Sequence, residues 1–390
     1  MPDNSHLQRH VGLAVAYNAW QHYQVTGDLD WLAGQGAELI IEVARYFSAS
    51  AVHDSQTDRF HIAGVMGPDE YHDGHGHGVR DNTYTNVMAA WVCARAVAAL
   101  QELAGHPRDD VMARLQIGEA EIAHWTHVSR RLAIAVHADG ILSQFDGYED
   151  LIELDWASYR NRYGNIGRLD LILESEDDNS NRYKLAKQPD VVMLVYLLGQ
   201  DGLRQQLARL GYPFSQDDLV RTVTYYLDRT SNGSTLSRVV SASVLAGLDE
   251  SRSWSLFREA LIADLDDTQG GTTREGIHLG AMAGTIDLIA RSFVGLSCDP
   301  TRVSFAPRLP PRLPNIRFQF AYRGHRIDLE LDHHTLRLQL LPSPAPPIRL
   351  RVATEEVSLA GGESHTFALA PGLQPAEPTE REPTERRARP

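Results

Sequence analysis

Cysteine is scarce in this sequence. Two residues, Cys93 and Cys298, in a chain of 390 leave no disulfide framework and fit a reducing compartment, the cytoplasm. Each lies in or beside an apolar helical run, so packing and not reactivity is the expected role. Basic residues are also in short supply, 37 Lys and Arg against 51 Asp and Glu, for a formal net charge of −14. Such a surface repels phosphate backbones and argues against a nucleic-acid partner, while leaving room for a local basic pocket for a small anion. Long hydrophobic runs are missing too: none reaches the roughly 18 residues that a membrane span needs. The apolar stretch from Val11 to Trp20 contains Asn18 and runs into polar Gln21-His22. It reads as a buried helix, not a signal peptide, and no membrane partner is expected. What remains, 43% hydrophobic and 23% charged, is ordinary for a globular chain with a sizeable core.

Residues 1 to about 295 read as helix after helix. Residues 10–24 are apolar nearly all round and stop at Gly27, which suits a left-handed cap. Residues 35–50 are one-sided, with Leu39, Ile40, Val43, Ala44 and Phe47 on a single face. Further helices are expected over 83–103, 113–137 and 189–198, the last with Pro189 in its first turn and Gly199 past its end. Ser215 caps another, and three follow at 237–248, 251–266 and 276–296. Fully apolar helices alternating with one-sided ones suggest two layers, as in an α/α toroid; an irregular helical bundle has the same periodicity. After Pro300 the pattern changes to period two. Ile316, Phe318, Phe320 and Tyr322 mark one strand, Ile327, Leu329 and Leu331 a second, and Leu336, Leu338 and Leu340 a third, with a turn at Arg323-Gly324-His325. The expected organisation is a mainly α domain over 1–298, a small antiparallel β-sheet domain over 299–370, and a disordered tail over 371–390 that repeats PTER.

The densest chemistry lies in GVMGPDEYHDGHGHG, residues 64–78, which carries acids, three histidines and five glycines on what would otherwise be a connection. A metal site and an acid–base site are the two chemistries that such a loop offers. His72, His75 and His77 are ligand types, but ligands on a glycine-rich loop cost ordering entropy, and no cysteine or helical histidine pair is near. No metal and no cofactor are expected. Glu70 sits between Pro68, which restricts the backbone, and Tyr71. That setting can hold a carboxyl still and partly desolvate it, as a general acid requires, although a plain surface turn would look the same.

The stretch GVMGPDEYH, followed by DNTYTNVMA from Asp81, resembles the catalytic signature of glycoside hydrolase family 65, which contains inverting maltose, trehalose and kojibiose phosphorylases and a few hydrolases. YKLAKQPDVVML from Tyr183, TSNGSTLSRVV from Thr230 and GGTTREGIHLGAMAG from Gly270 match it further, all in the family's order. The chain is most similar to the actinobacterial-type branch. The resemblance implies a toroid of six helical hairpins followed by a β-sheet domain. It implies Glu70 as the general acid, Lys187 and Gln188 gripping the glucosyl unit, Gly233, Ser234 and Thr235 as the phosphate loop, and His278 on phosphate. Without it, Lys187 would read as a solvated lysine, Gln188 and His278 as ordinary helix residues, and the loop as a capped turn.

An inverting glycosidase needs a carboxylate base opposite its acid to activate water; phosphate dianion needs only a cradle. TSNGSTLS, from Thr230 to Ser237, contains no Asp or Glu. The expected reaction is therefore phosphorolysis of an α-linked disaccharide of the maltose, trehalose or kojibiose class, with inorganic phosphate as co-substrate. A base from elsewhere would make it a trehalase-like hydrolase. Members of the family are about twice as long, starting with a β-sandwich, and carry a Trp-Asp motif that this chain lacks. A toroid incomplete at its N-terminus would expose apolar faces. A homodimer, pairing with a missing N-terminal half, or a truncated non-catalytic chain are the expectations that follow.

Overall fold

The computed structural model describes residues 4–188, 190–268 and 272–369. Pro189, Gly270, Gly271 and the tail 371–390, read above as a helix start, part of a motif and a disordered segment, lie outside them. The chain divides into two compact units between Arg308 and Leu309.

In the first unit, α1 (His10–Thr26), α2 (Ala37–Ser50) and α3 (Thr83–Glu102) come first. Gly27 ends α1 in the left-handed conformation with φ 66°, where a side chain would be strained. The single helix expected over 113–137 is instead two, α4 (His106–Arg114) and α5 (Glu119–Arg131). Gln116, at φ 55°, breaks the path between them. Two short helices follow, α6 (Trp156–Tyr163) and α7 (Leu169–Ser175). The apolar run after Asp190 forms α8 (Val191–Leu210), in which Gly199 leaves helical geometry at φ 71° and helix then resumes. Four more complete the series: α9 (Gln216–Asp228), α10 (Thr235–Leu245), α11 (Glu250–Leu261) and α12 (Leu279–Leu288). Ser215 and Asp218 close a capping box at the start of α9, satisfying end groups that would otherwise lack partners.

Two layers result. Helices α1, α3, α8, α10 and α12 pack in series, each on the next, as an inner row. Outside them, α2 lies on α1 and α3, α5 on α3 and α8, α9 on α8, and α11 on α10 and α12. The division follows composition. Helix α3 is buried on nearly every side, whereas α9 buries only Leu219, Thr222, Val223, Tyr226 and Leu227. One core runs through both layers, with Trp125, Phe47 and Tyr226 fully buried. Four short strands insert between helices as the hairpins β1 (Val52–Asp54)–β2 (Arg59–His61) and β3 (Ala63–Val65)–β4 (Val79–Arg80). A further hairpin, β5 (Ser297–Asp299)–β6 (Arg302–Phe305), ends the unit. The unit border falls ten residues beyond the expected 298/299 because Ala306 and Arg308 donate backbone hydrogen bonds back to Gly295 and Phe293.

The second unit is antiparallel sheet. Strands β7 (Asn315–Tyr322), β8 (His325–Asp332), β9 (Thr335–Leu340) and β12 (Ser364–Ala368) lie in the order β12-β9-β8-β7, and β10 (Ile348–Val352) pairs with β11 (Glu355–Leu359). The alternation read from sequence sets the register: Ile316, Phe318 and Phe320 oppose Leu331, Leu329 and Ile327. Arg323 and Gly324, both at positive φ, make the two-residue turn that hairpin twist favours. No helix among the described residues is long and apolar enough to cross a membrane.

Cys93 is buried on α3 against the Ala44 carbonyl, and burial pushes its thiol up to about 12. A thiol-specific reagent at neutral pH is expected to titrate at most one cysteine in the native chain, Cys298, and two after denaturation. Two fast-reacting native thiols would show that α3 is not packed as described.

Candidate active site

Hairpin β3–β4 carries the histidine- and glycine-rich segment at its tip. The loop is pinned at both ends and is not free. Asp81, buried after β4, accepts from His61 Nδ1 at 2.6 Å and Asn86 Nδ2 at 3.0 Å. Asp73 accepts from Asn4 at 2.6 Å and Asn181 at 2.8 Å. Of the three histidines in the segment, His72 is buried with both ring nitrogens engaged, Nδ1 at 3.2 Å from Asp69 and Nε2 at 2.9 Å from the Tyr183 carbonyl. His75 and His77 are exposed.

The two adjacent acids in PDEY have opposite environments. Asp69 is buried, and its carboxylate accepts the Lys187 backbone N–H and Gln144 Nε2, both at 2.8 Å. Glu70 is half exposed. Its Oε2 lies 2.5 Å from Lys187 Nζ, and its Oε1 accepts from Gln8 at 3.3 Å. Gln188 donates to the Pro68 carbonyl, on the same turn. Beneath this turn lies Asp190, fully buried; Asn82 donates to one of its oxygens at 2.9 Å, while the other has no partner among the described residues. Desolvation pushes this carboxyl well above the usual range. Gly67 allows the close approach, since a Cβ there would meet Asp190 Oδ2 at 2.3 Å.

The segment around Lys187 is stitched to the loop before α10. Ala186 N–H donates to the Arg229 carbonyl at 2.9 Å, Ser231 N–H to the Ala186 carbonyl at 2.8 Å, and Gly233 N–H to the Lys187 carbonyl at 3.1 Å. Ser237 Oγ adds a bond to the Lys187 carbonyl at 3.3 Å. Ser234 caps α10 by accepting from Leu236 N–H at 3.3 Å. His278, at the N-terminus of α12, is held by Asp264, which accepts its backbone N–H at 2.9 Å and lies 2.6 Å from its Nδ1. These bonds hold the Asp264 carboxyl below the usual range. They leave Nε2 beside Thr272 Oγ1 at 3.3 Å.

Two cavities of the first unit meet at this junction. One, of about 1120 Å³, runs along the inner helices and is lined at its upper end by Gln8, His10, Glu70, Tyr84 and Gln188. The other, of about 630 Å³, is lined by Lys187, Gly233, Ser234, Thr235 and His278, together with Arg168 and Arg238. Lys187 therefore bridges them, its backbone in the loop network and its ammonium on Glu70. Every residue that the resemblance assigns a role lies at this junction: Glu70, Lys187 and Gln188 meet at one turn, and Gly233, Ser234, Thr235 and His278 share the second cavity. Several that matter were not singled out. Asp69 and Gln144 hold the turn, Asp264 holds His278, and Arg168 and Arg238 line the second cavity. Arg238 Nη1 is buried without a partner among the described residues, while its Nε reaches Glu259 at 3.1 Å. Only Asp69 and Arg238 lie within quoted motifs; nothing local marks the others. The N-termini of α10 and α12 both open into this cavity, an arrangement that favours anions.

Residues 1–287 match the model of the glycosyl hydrolase family 65 central catalytic domain, and residues 296–359 match that of the same family's C-terminal domain. The chain is similar to an uncharacterized glycosyl hydrolase of Mycobacterium tuberculosis, at 48% identity over 90% of this chain and 26% of the relative. It is also similar to the trehalose 6-phosphate phosphorylase of Lactococcus lactis, at 34% identity over 94% of this chain and 46% of the relative. A solved structure, a putative kojibiose phosphorylase from the human microbiome, matches with a TM-score of 0.73 at 21% identity, covering 92% of this chain and 46% of its own. This likeness speaks for the fold, a helical toroid followed by a β domain. The chain spans less than half the length of each.

Gly233 has its virtual Cβ 2.0 Å from the Gly167 carbonyl. Gly233→Ala is expected to cost about 1–3 kcal/mol in urea unfolding, as overpacking does; an unchanged midpoint would show the loop to be loosely held. The Asp264–His278 contact gives a pH signature. A carboxyl depressed in the folded state contributes stability above its unfolded value and loses it as pH falls through the folded one. The stability gap between the native chain and Asp264→Asn should be full at neutral pH and shrink as pH falls below the ordinary Asp value of 3.8. A gap independent of pH would contradict the contact.

Proposed function

Since the chain belongs to glycosyl hydrolase family 65, which joins glycoside phosphorylases and hydrolases, we propose that it carries the catalytic portion of an inverting α-glucoside phosphorylase. The substrate is an α-linked disaccharide with a glucosyl unit in its donor half, and inorganic phosphate is the second substrate. Glu70 acts as general acid on the glycosidic oxygen. Lys187 and Gln188 hold the glucosyl unit, and Gly233, Ser234, Thr235 and His278 receive phosphate. The carbon–oxygen bond to the leaving sugar breaks as that oxygen takes the Glu70 proton. A phosphate oxygen forms the new bond from the opposite face, giving β-glucose 1-phosphate.

One observation carries the preference for phosphorolysis. Among the described residues lining the 630 Å³ cavity there is no carboxylate, whereas Arg168, Lys187, Arg238 and His278 all line it. A hydrolase needs a base on that side of the sugar; a phosphorylase needs an anion cradle there. The pairing of Lys187 with Glu70 suits the same scheme, because an arriving phosphate gives the ammonium a second anion and lets Glu70 take up the proton it must deliver. The low cysteine count agrees with a reducing, cytoplasmic setting.

The test is turnover of α,α-trehalose, trehalose 6-phosphate, maltose and kojibiose with and without phosphate, with the product anomer read by NMR. Phosphate-dependent β-glucose 1-phosphate is expected, and Glu70→Gln should lower kcat by about 10²–10⁴-fold. Glucose release at equal rate without phosphate would make the chain a hydrolase. A rate untouched by Glu70→Gln would remove that residue from the reaction.

A further inference from the structure

Outside both cavities, on the far side of the β1–β2 hairpin, three side chains converge on one point. His53 from β1, Asp58 from the hairpin turn and His127 from α5 bring one ligand atom each within 4.8 Å of one another. His53 Nε2 is 3.1 Å and His127 Nε2 3.9 Å from the same carboxylate oxygen, Asp58 Oδ1. The other oxygen, Oδ2, lies 3.4 Å from Arg131 Nε. The Phe60 ring packs against both imidazoles, with centroids 4.8 Å and 5.1 Å away, and so restricts their orientation. None of the three lines either cavity at the catalytic junction.

We propose that His53, Asp58 and His127 form a binding site for a divalent transition-metal ion, zinc first among them. Two imidazoles and one carboxylate are the nitrogen and oxygen donors that zinc, nickel and copper prefer over calcium or magnesium. Ligand atoms about 2.0–2.1 Å from a tetrahedral zinc lie about 3.3 Å from each other. Two of the observed separations bracket that value, and all three side chains are partly exposed, with room for a small rotamer shift. The arrangement also explains why two Nε2 atoms face a single oxygen: a cation between them serves all three. Arg131 then takes the role of the outer partner that orients a ligating carboxylate. All three ligands are exposed and lie on β1, its turn and α5, so the ion would tie the hairpin to α5. That hairpin continues directly into β3 and the Glu70 turn. The exposed pair His75 and His77 offers no comparable set, since His72 beside them is engaged.

The experiment is isothermal titration of the full chain, freed of metal by chelator, with zinc at neutral pH, and with cobalt followed by its visible absorption. One ion per chain is expected at this site, together with a rise in thermal midpoint. His53→Gln and His127→Gln should each weaken binding by at least about tenfold and abolish the cobalt band, while His75→Gln with His77→Gln leaves both intact. Absence of binding at millimolar zinc would overturn the proposal. So would unchanged binding in the His53→Gln, His127→Gln double variant, which would place the ion elsewhere.

Discussion

Lys187 holds the junction of the two cavities together, and most of its work is done by the backbone. Its N–H is taken by the buried Asp69 carboxylate, its C=O by Gly233 N–H and the Ser237 hydroxyl, and its ammonium by Glu70. Two segments far apart in sequence, 69–70 and 233–237, are thereby fixed to one residue. The cost of burying Asp69 is offset by two donors, the Lys187 N–H and Gln144, with the His72 ring beside them at 3.2 Å. Remove one donor and the low dielectric that strengthens the others penalises the charge left unpaired. The junction is consequently cooperative, and its parts are not separable contributions.

The helical array explains why these segments meet at all. The N-termini of the inner helices gather at one end of the first unit: His10 of α1 reaches the Met66 carbonyl, Asn82 before α3 reaches Asp190 before α8, and α10 and α12 open into one cavity. Chain crossing from an outer to an inner helix must pass over this end, so the long loops and their chemistry collect there. The aligned helix dipoles place partial positive charge where an anion would arrive. On a chain of net charge −14, that is a local reversal of sign.

Much of this was legible in the sequence, for identifiable reasons. Gly27 and Ser215 marked helix ends because only certain residues serve those backbone positions. The alternation from Ile316 to Leu340 gave the strands and their pairing, since a slip of one residue would turn every apolar side chain outward. The residues quoted from the family's motifs proved to be neighbours. Other elements left no trace. The strands of β1 to β4 have two or three residues each, too short for any period to show. Helix α6 is rich in arginine and polar residues and buries only Tyr159, so no apolar face announces it. The break between α4 and α5 rests on Gln116, a residue type that rarely takes positive φ. Asp264 and Gln144 act through tertiary contacts alone, and nothing around them in the chain says what they touch.

The charge carriers of the chain have one further consequence. Of 37 basic residues only two are lysines, Lys184 and Lys187, and their side chains are 17% and 22% exposed. Arginine supplies the rest of the positive surface. Apart from the terminal amine, every primary amine on the molecule therefore sits in the segment that holds Glu70. Reagents that seek amines, among them carbamylating urea, reducing sugars and activated-ester dyes or resins, find no decoy groups elsewhere and are directed to that segment.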